Sequence, residues 1–494
     1  MPISLVEESI SRQPKMVAMA DASTRLAAQR RWAAQPVEAR LRILKQVRHL
    51  LAARTDALCA AIPSTLARNA ADTCCSEIIP LLAAYKFLEQ EAAAILKPRR
   101  LSLRSVPLWL LGILTEVRRV PLGHILVIAP SNYPLFLPGV QVMQALAAGN
   151  SVVWKPGVGG APIAELVVQT MYGAGLPREL LEVTGESIED AQEAIARGVD
   201  KVVFTGSATS GQALMRQLAD TLTPCVAELS GCDAVFVLPS ANLSRVVKAL
   251  AFGMRLNGSA TCMAPRRVIL VGAEPARRAE FIGLLLSQLD WVHGVALPEK
   301  VQRELQILLD DAASLGAQIH REIEASQRPV LITDATPSMK IAQADIFAPV
   351  LTLLKAHDMA DALAINEACP YSLTASIFGA EKEARVLAAR LSASNVIIND
   401  LMIPAADPRT PFGGRGKSGF GVTQGAEGLL EMTSPQSITV QRSRSTRNYD
   451  ATTEAHKALF DGVIQSTHGA TLTDRIAGVR LMIRAALRMG AGNK

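Results

Sequence analysis

Residues 18 to 98 are rich in alanine and leucine at helical spacing, as in Arg40-Leu41-Arg42-Ile43-Leu44-Lys45-Gln46-Val47, and this periodicity predicts two or more helices. From residue 117 the pattern changes. Short β-branched runs, Ile125–Ala129, Ser151–Trp154, Glu182–Thr184, Lys201–Phe204 and Cys225–Ala227, are each about a strand long and separated by helix-length segments. That alternation is the signature of a parallel sheet built from βαβ units. It restarts with Ala234–Leu238, Arg267–Val271, Pro329–Ile332, Pro349–Leu353, Thr374–Phe378 and Val396–Ile398, so a second α/β domain is expected. After Arg442 the chain turns polar and turn-rich, which puts a boundary near residue 445.

A chain of 494 residues exceeds one compact core and fits two or three domains. With 49% hydrophobic and 19% charged residues and a mean hydropathy of +0.22, it lies far from the disordered class. The net charge of +6 comes with only 4% aromatic residues, so no basic groove with stacking platforms is expected and nucleic acid is not a partner. The seven cysteines, an odd number without a CxxC pair, argue against a disulfide framework and against a metal site, and point to a reducing compartment. The opening MPISLVEESISRQPK lacks the layout of a signal peptide, so a cytoplasmic location is expected. Ile125 to Trp154 carries no charge, yet Pro130, Pro134, Pro138, Gln141, Gln144 and Asn150 interrupt it, which reads as buried protein and not as a membrane span.

Three positions have the chemistry of a reaction centre. Cys262 is flanked by small residues in Asn257-Gly258-Ser259-Ala260-Thr261-Cys262, which would let a carbonyl approach a thiolate; alone, it reads equally as a small buried hydrophobe. Glu228 ends an apolar strand, where a carboxylate facing a cleft gains a raised pKa and can act as a base; the plain alternative is a solvated strand end. Lys155 follows a strand, where sheet proteins hold ligands, or is a surface lysine in a turn. Phe204-Thr205-Gly206-Ser207 offers free backbone N–H groups between strand and helix, suited to phosphate, although no GxGxxG is present.

Taken in order, these segments resemble the aldehyde dehydrogenase superfamily. The matching features are Pro130-Ser131-Asn132-Tyr133-Pro134, Trp154-Lys155-Pro156, Phe204-Thr205-Gly206-Ser207, Glu228-Leu229-Ser230-Gly231, Cys262 placed 34 residues after Glu228, Asp345-Ile346-Phe347-Ala348-Pro349-Val350 and Pro411-Phe412-Gly413-Gly414. The resemblance implies an α/β fold: a Rossmann-like cofactor domain (1–100 and 117–231), a second α/β catalytic domain (232–431), a small β oligomerisation arm (101–116 and 432–445) and a C-terminal extension (446–494). A homodimer or homotetramer is expected from the arm.

The resemblance also implies roles. Cys262 would attack an aldehyde, Asn132 and the Cys262 N–H would hold the oxyanion, and Glu228 would activate the water that releases a carboxylic acid. For the cofactor, NAD or NADP, Lys155 would bond the adenosine ribose, Gly185 and Ser207 would border the adenine and phosphates, Asp345 would hold the nicotinamide ribose and Phe347 would pack beside the ring. Tyr133, Phe136, Leu137, Val140, Met263 and Phe412 are the apolar candidates for the substrate entrance, which fits an apolar aldehyde, aliphatic or aromatic. A coenzyme A-acylating enzyme or acyl-CoA reductase, and a catalytically inactive homologue, are the alternatives.

Several departures from the family pattern matter. Val158 stands where NAD-preferring relatives place a glutamate, Asp345 where most carry Glu, Ser259-Ala260 where Gly-Gln is usual, and Ser230 where a glycine is usual. The missing carboxylate at 158 opens the site to NADP. Beyond the usual family end, Arg480, Arg484 and Arg488 stack on one helix face, with Ile476, Val479, Met482, Ile483 and Ala486 opposite. Such a helix suits peripheral contact with an anionic membrane or docking on its own or a partner subunit.

Overall fold

The structure, a computed structural model, describes residues 22–491 except 103, 105, 108, 109, 111, 273, 324, 325, 443–448 and 450. It divides into two units: residues 1–99 with 117–436, and residues 100–116 with 437–494.

The first unit contains a six-stranded and a seven-stranded sheet, besides the short antiparallel pair of Tyr371–Ser372 with Arg415–Gly416. In spatial order, the six-stranded sheet runs Gly419–Phe420, Cys225–Leu229, Lys201–Gly206, His124–Ile128, Ser151–Lys155, Leu181–Val183. All its pairings are parallel except that of Gly419–Phe420 with Cys225–Leu229. A glycine is required at 419: a Cβ there would lie 1.9 Å from the Ala227 carbonyl oxygen. The seven-stranded sheet runs Gln318–Ile319, Val330–Ala335, Val350–Ala356, Pro265–Val271, Asp233–Val237, Thr374–Phe378, Asn395–Ile398, parallel apart from its short first strand. Every strand expected from the β-branched runs is present, with ends moved by up to three residues. Not foreseen were the shortest strands, such as Gly419–Phe420, where two glycine-flanked residues give no periodic signal.

The charge-free stretch resolves into strand His124–Ile128, helix Phe136–Ala148 and strand Ser151–Lys155, with the helix buried along nearly its whole length. Its amide side chains donate internally: Gln141 Nε2 donates to Thr205 Oγ1 (3.3 Å), and Asn150 Nδ2 donates to the carbonyls of Ala145 (3.0 Å) and Met432 (2.9 Å). That is why charge is absent without a membrane; no helix among the described residues is long and apolar enough to cross one.

In the second unit, helices Glu454–His468 and Leu472–Ala491 pack as an antiparallel pair. The contact depends on small residues, since a Cβ on Gly478 would come within 2.2 Å of Ser466 N and one on Gly462 within 2.5 Å of Met482 N. Ile464, Ile476, Ile483 and Leu487 remain exposed beside Arg480, Arg484 and Arg488.

Candidate active site

In an open parallel sheet, ligands bind outside the carboxyl ends of the strands, at the point where strand order reverses. The chain leaves the central strand His124–Ile128 for Ser151–Lys155 and Leu181–Val183 on one side, then returns to Lys201–Gly206 and Cys225–Leu229 on the other. Asn132, Lys155, Gly185, Ser207 and Glu228 therefore sit along one edge. Burial pulls the Lys155 pKa down, against the opposing carboxylates of Asp190 and Glu186. Ser207 caps helix Ala208–Ala219, its Oγ accepting from Ser210 N at 3.2 Å. A Cβ on Gly185 would lie 2.4 Å from Asp190 Oδ2, so a side chain there would have to displace that carboxylate.

Cys262 follows a turn, Leu256–Ser259, with three consecutive left-handed residues: Asn257 (φ 51°), Gly258 (57°) and Ser259 (64°). Two non-glycine residues in that region cost free energy, so surrounding groups must hold them. The buried Arg266 supplies part of that hold, donating to Ser259 Oγ (2.7 Å), Ser259 O (2.6 Å) and Ala348 O (2.8 Å). Asn132 Nδ2 donates to Ala260 O at 2.9 Å, and Tyr133 Oη lies 3.0 Å from Thr261 Oγ1. Asn132 and Tyr133 thus touch the two residues before the thiol. Burial raises the Cys262 pKa, and the carboxylates of Glu228, Asp233 and Asp345 add to the effect.

Glu228 is buried in its strand, with Oε1 accepting from the Thr423 hydroxyl and Oε2 from Thr205 Oγ1 (3.3 Å). Burial raises its pKa to about 7, while the two hydroxyls act in the other direction. A carboxylate so placed can accept a proton near neutral pH. Asp345 is half-buried, its pKa raised by burial and lowered by a hydrogen bond from Ser230. Its Oδ1 is buried without a partner, so it is suited to accept from a ligand hydroxyl. Phe347, two residues on, is also half-buried.

Of the expected substrate-facing residues, the structure brings Met263 and Phe412 into one apolar cluster with Cys262, together with Leu373, Ile397 and Ala405. Tyr133 joins through Thr261. Phe136 and Val140 are part of the core of the first sheet, and Leu137 packs against it. Sequence reasoning missed Thr205 and Thr423 on Glu228, Arg266 on Ser259, and Glu186, whose two oxygens accept from Gly159 N and Ala161 N at 2.7 Å, just after the exposed Val158. Thr205 alone carried a signal, as part of a strand-end motif.

The model described as the aldehyde dehydrogenase family matches residues 10–438. The chain belongs to that family. This aldehyde dehydrogenase is 31% identical over 428 residues to 4,4'-diapolycopene aldehyde oxidase of Methylomonas sp, covering 84% of this chain and 79% of that protein. It is 28% identical over 441 residues to the succinate-semialdehyde dehydrogenase (NADP(+)) of Deinococcus radiodurans, covering 83% and 87%. Among solved structures, Mycobacterium tuberculosis aldehyde dehydrogenase complexed with NAD+ matches 87% of this chain and 92% of its own, with a TM-score of 0.77 at 23% identity, a likeness that shows the fold. As an aldehyde dehydrogenase, the protein is an enzyme that oxidises an aldehyde to an acid.

Proposed function

We propose that this enzyme oxidises an apolar aldehyde, aliphatic or aromatic, to its carboxylic acid with NAD or NADP, through a covalent adduct on Cys262. The observation that carries the reading is the convergence on one loop of a thiol, an amide and a proton-accepting carboxylate: Cys262, Asn132 held to Ala260 O at 2.9 Å, and Glu228 with a pKa near 7. Cys262 Sγ gives up its proton to solvent and attacks the aldehyde carbon, the carbonyl electron pair moving to oxygen. The second N–H of Asn132 Nδ2 and the Cys262 backbone N–H stabilise the resulting oxyanion. A nicotinamide cofactor, when bound, supplies the hydride acceptor that oxidises the adduct to a thioester. Glu228 then takes a proton from water, which attacks the thioester and frees the acid and the thiol.

The residues present fit that cofactor. The unpartnered Asp345 Oδ1 would accept from the nicotinamide ribose, Phe347 would flank the ring, Lys155 would reach the adenosine ribose, and Gly185 and Ser207 would border the adenine and phosphates. One relative is named for NADP and a structural neighbour holds NAD+. Those relatives are named for different aldehydes, and the apolar Met263 and Phe412 beside Cys262 favour an apolar one. Resolution of the thioester by coenzyme A is less favoured, because a buried base near neutral pH serves water.

The arm, residues 101–116 and 432–445, would pair subunits into a homodimer or homotetramer. Helix Leu472–Ala491, with exposed Ile476, Ile483 and Leu487 beside three arginines, has the chemistry of a peripheral membrane contact. All seven cysteines are free, in keeping with a reducing, cytoplasmic setting.

Two variants test the chemistry. Cys262→Ala should abolish both the first-turnover burst of reduced cofactor and steady turnover. Glu228→Gln should slow hydrolysis by about 10²–10⁴-fold while the burst persists and an acyl group accumulates on Cys262, seen by intact-protein mass spectrometry. An active Cys262→Ala enzyme would overturn the reading.

A further inference from the structure

Arg68 and Glu77 lie outside every motif above, yet they form an ion pair (2.6 Å) with side chains only 2% and 0% exposed. Burying two charges costs several kcal/mol per ion before their attraction is counted, so such a pair is a poor device for stability alone. Its remaining hydrogen bonds all go to one place. Arg68 Nε donates to Asn257 Oδ1 at 2.7 Å, Nη2 donates to the backbone oxygen of Asn132, and the guanidinium lies 4.8 Å from the centroid of the Tyr133 ring. Glu77 Oε2 accepts from Leu135 N (3.2 Å) and Phe136 N (2.6 Å), at the start of helix Phe136–Ala148. Asn257 Nδ2 closes the circuit by donating to Asn132 O (3.1 Å) and Ala260 O (2.9 Å), the same carbonyl that the Asn132 amide uses.

We infer that Arg68, anchored by Glu77, is a positioning residue for the oxyanion site: it ties the segment carrying Asn132 to the left-handed turn preceding Cys262 and so fixes the Asn132 amide against the thiol. This rests on the reading of Cys262 as nucleophile and Asn132 as oxyanion donor. The planar fork is essential to the role, because three acceptors in three directions are reached at once by one rigid group, which a lysine ammonium on a flexible stem cannot reproduce.

The test separates oxyanion stabilisation from thiol reactivity in the full-length enzyme without cofactor. p-Nitrophenyl acetate acylates Cys262 through a tetrahedral oxyanion: the carbon–sulfur bond forms, p-nitrophenolate leaves with the electron pair of the broken carbon–oxygen bond, and the thiol proton goes to solvent. Iodoacetamide alkylates the same sulfur by displacing iodide, with no oxyanion. Arg68→Lys should slow the ester burst by about 10–100-fold and leave alkylation within about threefold. In an Asn132→Ala background, Arg68→Lys should add less than about threefold, because the donor through which it acts is gone. Should Arg68→Lys fail to fold, the Arg68→Met/Glu77→Leu double variant removes both charges and takes the same measurements.

Parallel loss of acylation and alkylation, an unchanged ester burst, or full additivity with Asn132→Ala would each overturn the positioning role. A parent enzyme whose ester burst is absent, or survives Cys262→Ala, would instead overturn the reading of Cys262 on which it rests.

Discussion

The turn before Cys262 and the C-terminal helix pair solve opposite problems. Around the thiol, buried polar groups do the holding: Arg266 makes three hydrogen bonds of 2.6–2.8 Å, and Asn257 and Asn132 share the Ala260 carbonyl. In the helix pair, Gly462 and Gly478 let backbones approach closely, and large apolar side chains stay exposed. The first region stores backbone strain where a reacting group must be placed to within a fraction of an ångström. The second stores none, and its apolar face is unspent. Placement needs directional bonds; adhesion needs only surface.

The contrast is broken most severely at Arg266. Arg266→Met keeps the apolar stem but leaves Ser259 O, Ser259 Oγ and Ala348 O without their donor, so the turn loses the group that offsets its left-handed residues. Destabilisation by about 3 kcal/mol is expected in urea unfolding, together with a fall in turnover of about 100-fold or more. Unchanged turnover would mean that the turn holds its own shape.

A milder test concerns Glu228. Burial raises its pKa to about 7, and the hydroxyls of Thr423 and Thr205 lower it by bonding the ionised form. Thr423→Val removes one such donor at nearly constant volume, so the pKa should rise further. On the proposed reading Glu228 is a base that works only when ionised; the acid limb of the pH–rate profile should therefore move to higher pH, and each whole pH step of that movement should cost about tenfold in turnover at pH 7. The linked stability has the opposite sense. A carboxylate with a raised pKa favours folding fully at low pH, and that contribution is lost as pH rises through about 7.

How much of this was legible in the sequence follows from the kind of force involved. Strands such as Thr374–Phe378 were readable because burial on both faces demands a continuous apolar run. Cys262, Glu228 and Asn132 stand out as candidates only as an ordered set, since each residue type has ordinary uses. Arg68 and Glu77 gave no signal: they lie nine residues apart in a polar stretch, and Arg68 meets Asn132 and Asn257 only after folding brings segments 64 and 189 residues away onto it.

The cofactor edge offers a test of intermediate size. Val158 lacks the carboxylate that would repel a 2′-phosphate, but Glu186 brings one from the neighbouring loop and occupies the N–H groups of Gly159 and Ala161. Its charge lies close enough to Lys155 to oppose the fall in that pKa. Glu186→Gln should raise the kcat/KM ratio of NADP over NAD by about tenfold, or roughly 1.4 kcal/mol. An unmoved ratio would leave the choice to residues other than these.

The smallest effect is expected from deleting residues 446–494, and it sharpens the comparison because it removes the adhesive region entirely. Cys262, Glu228, Asn132, Lys155, Asp345 and the groups that hold them all belong to residues 1–99 and 117–436, where the two sheets have their own cores. Turnover of a small soluble aldehyde should stay within about twofold of the full-length enzyme, and the iodoacetamide rate at Cys262 should not change. Sedimentation with anionic vesicles should be lost, since Arg480, Arg484 and Arg488 and the exposed Ile476, Ile483 and Leu487 leave together. If the truncated chain instead changes oligomeric state while vesicle binding was never present, the exposed apolar face belongs to another subunit. If turnover of the soluble aldehyde collapses, the separation between a region that places groups and a region that adheres is wrong.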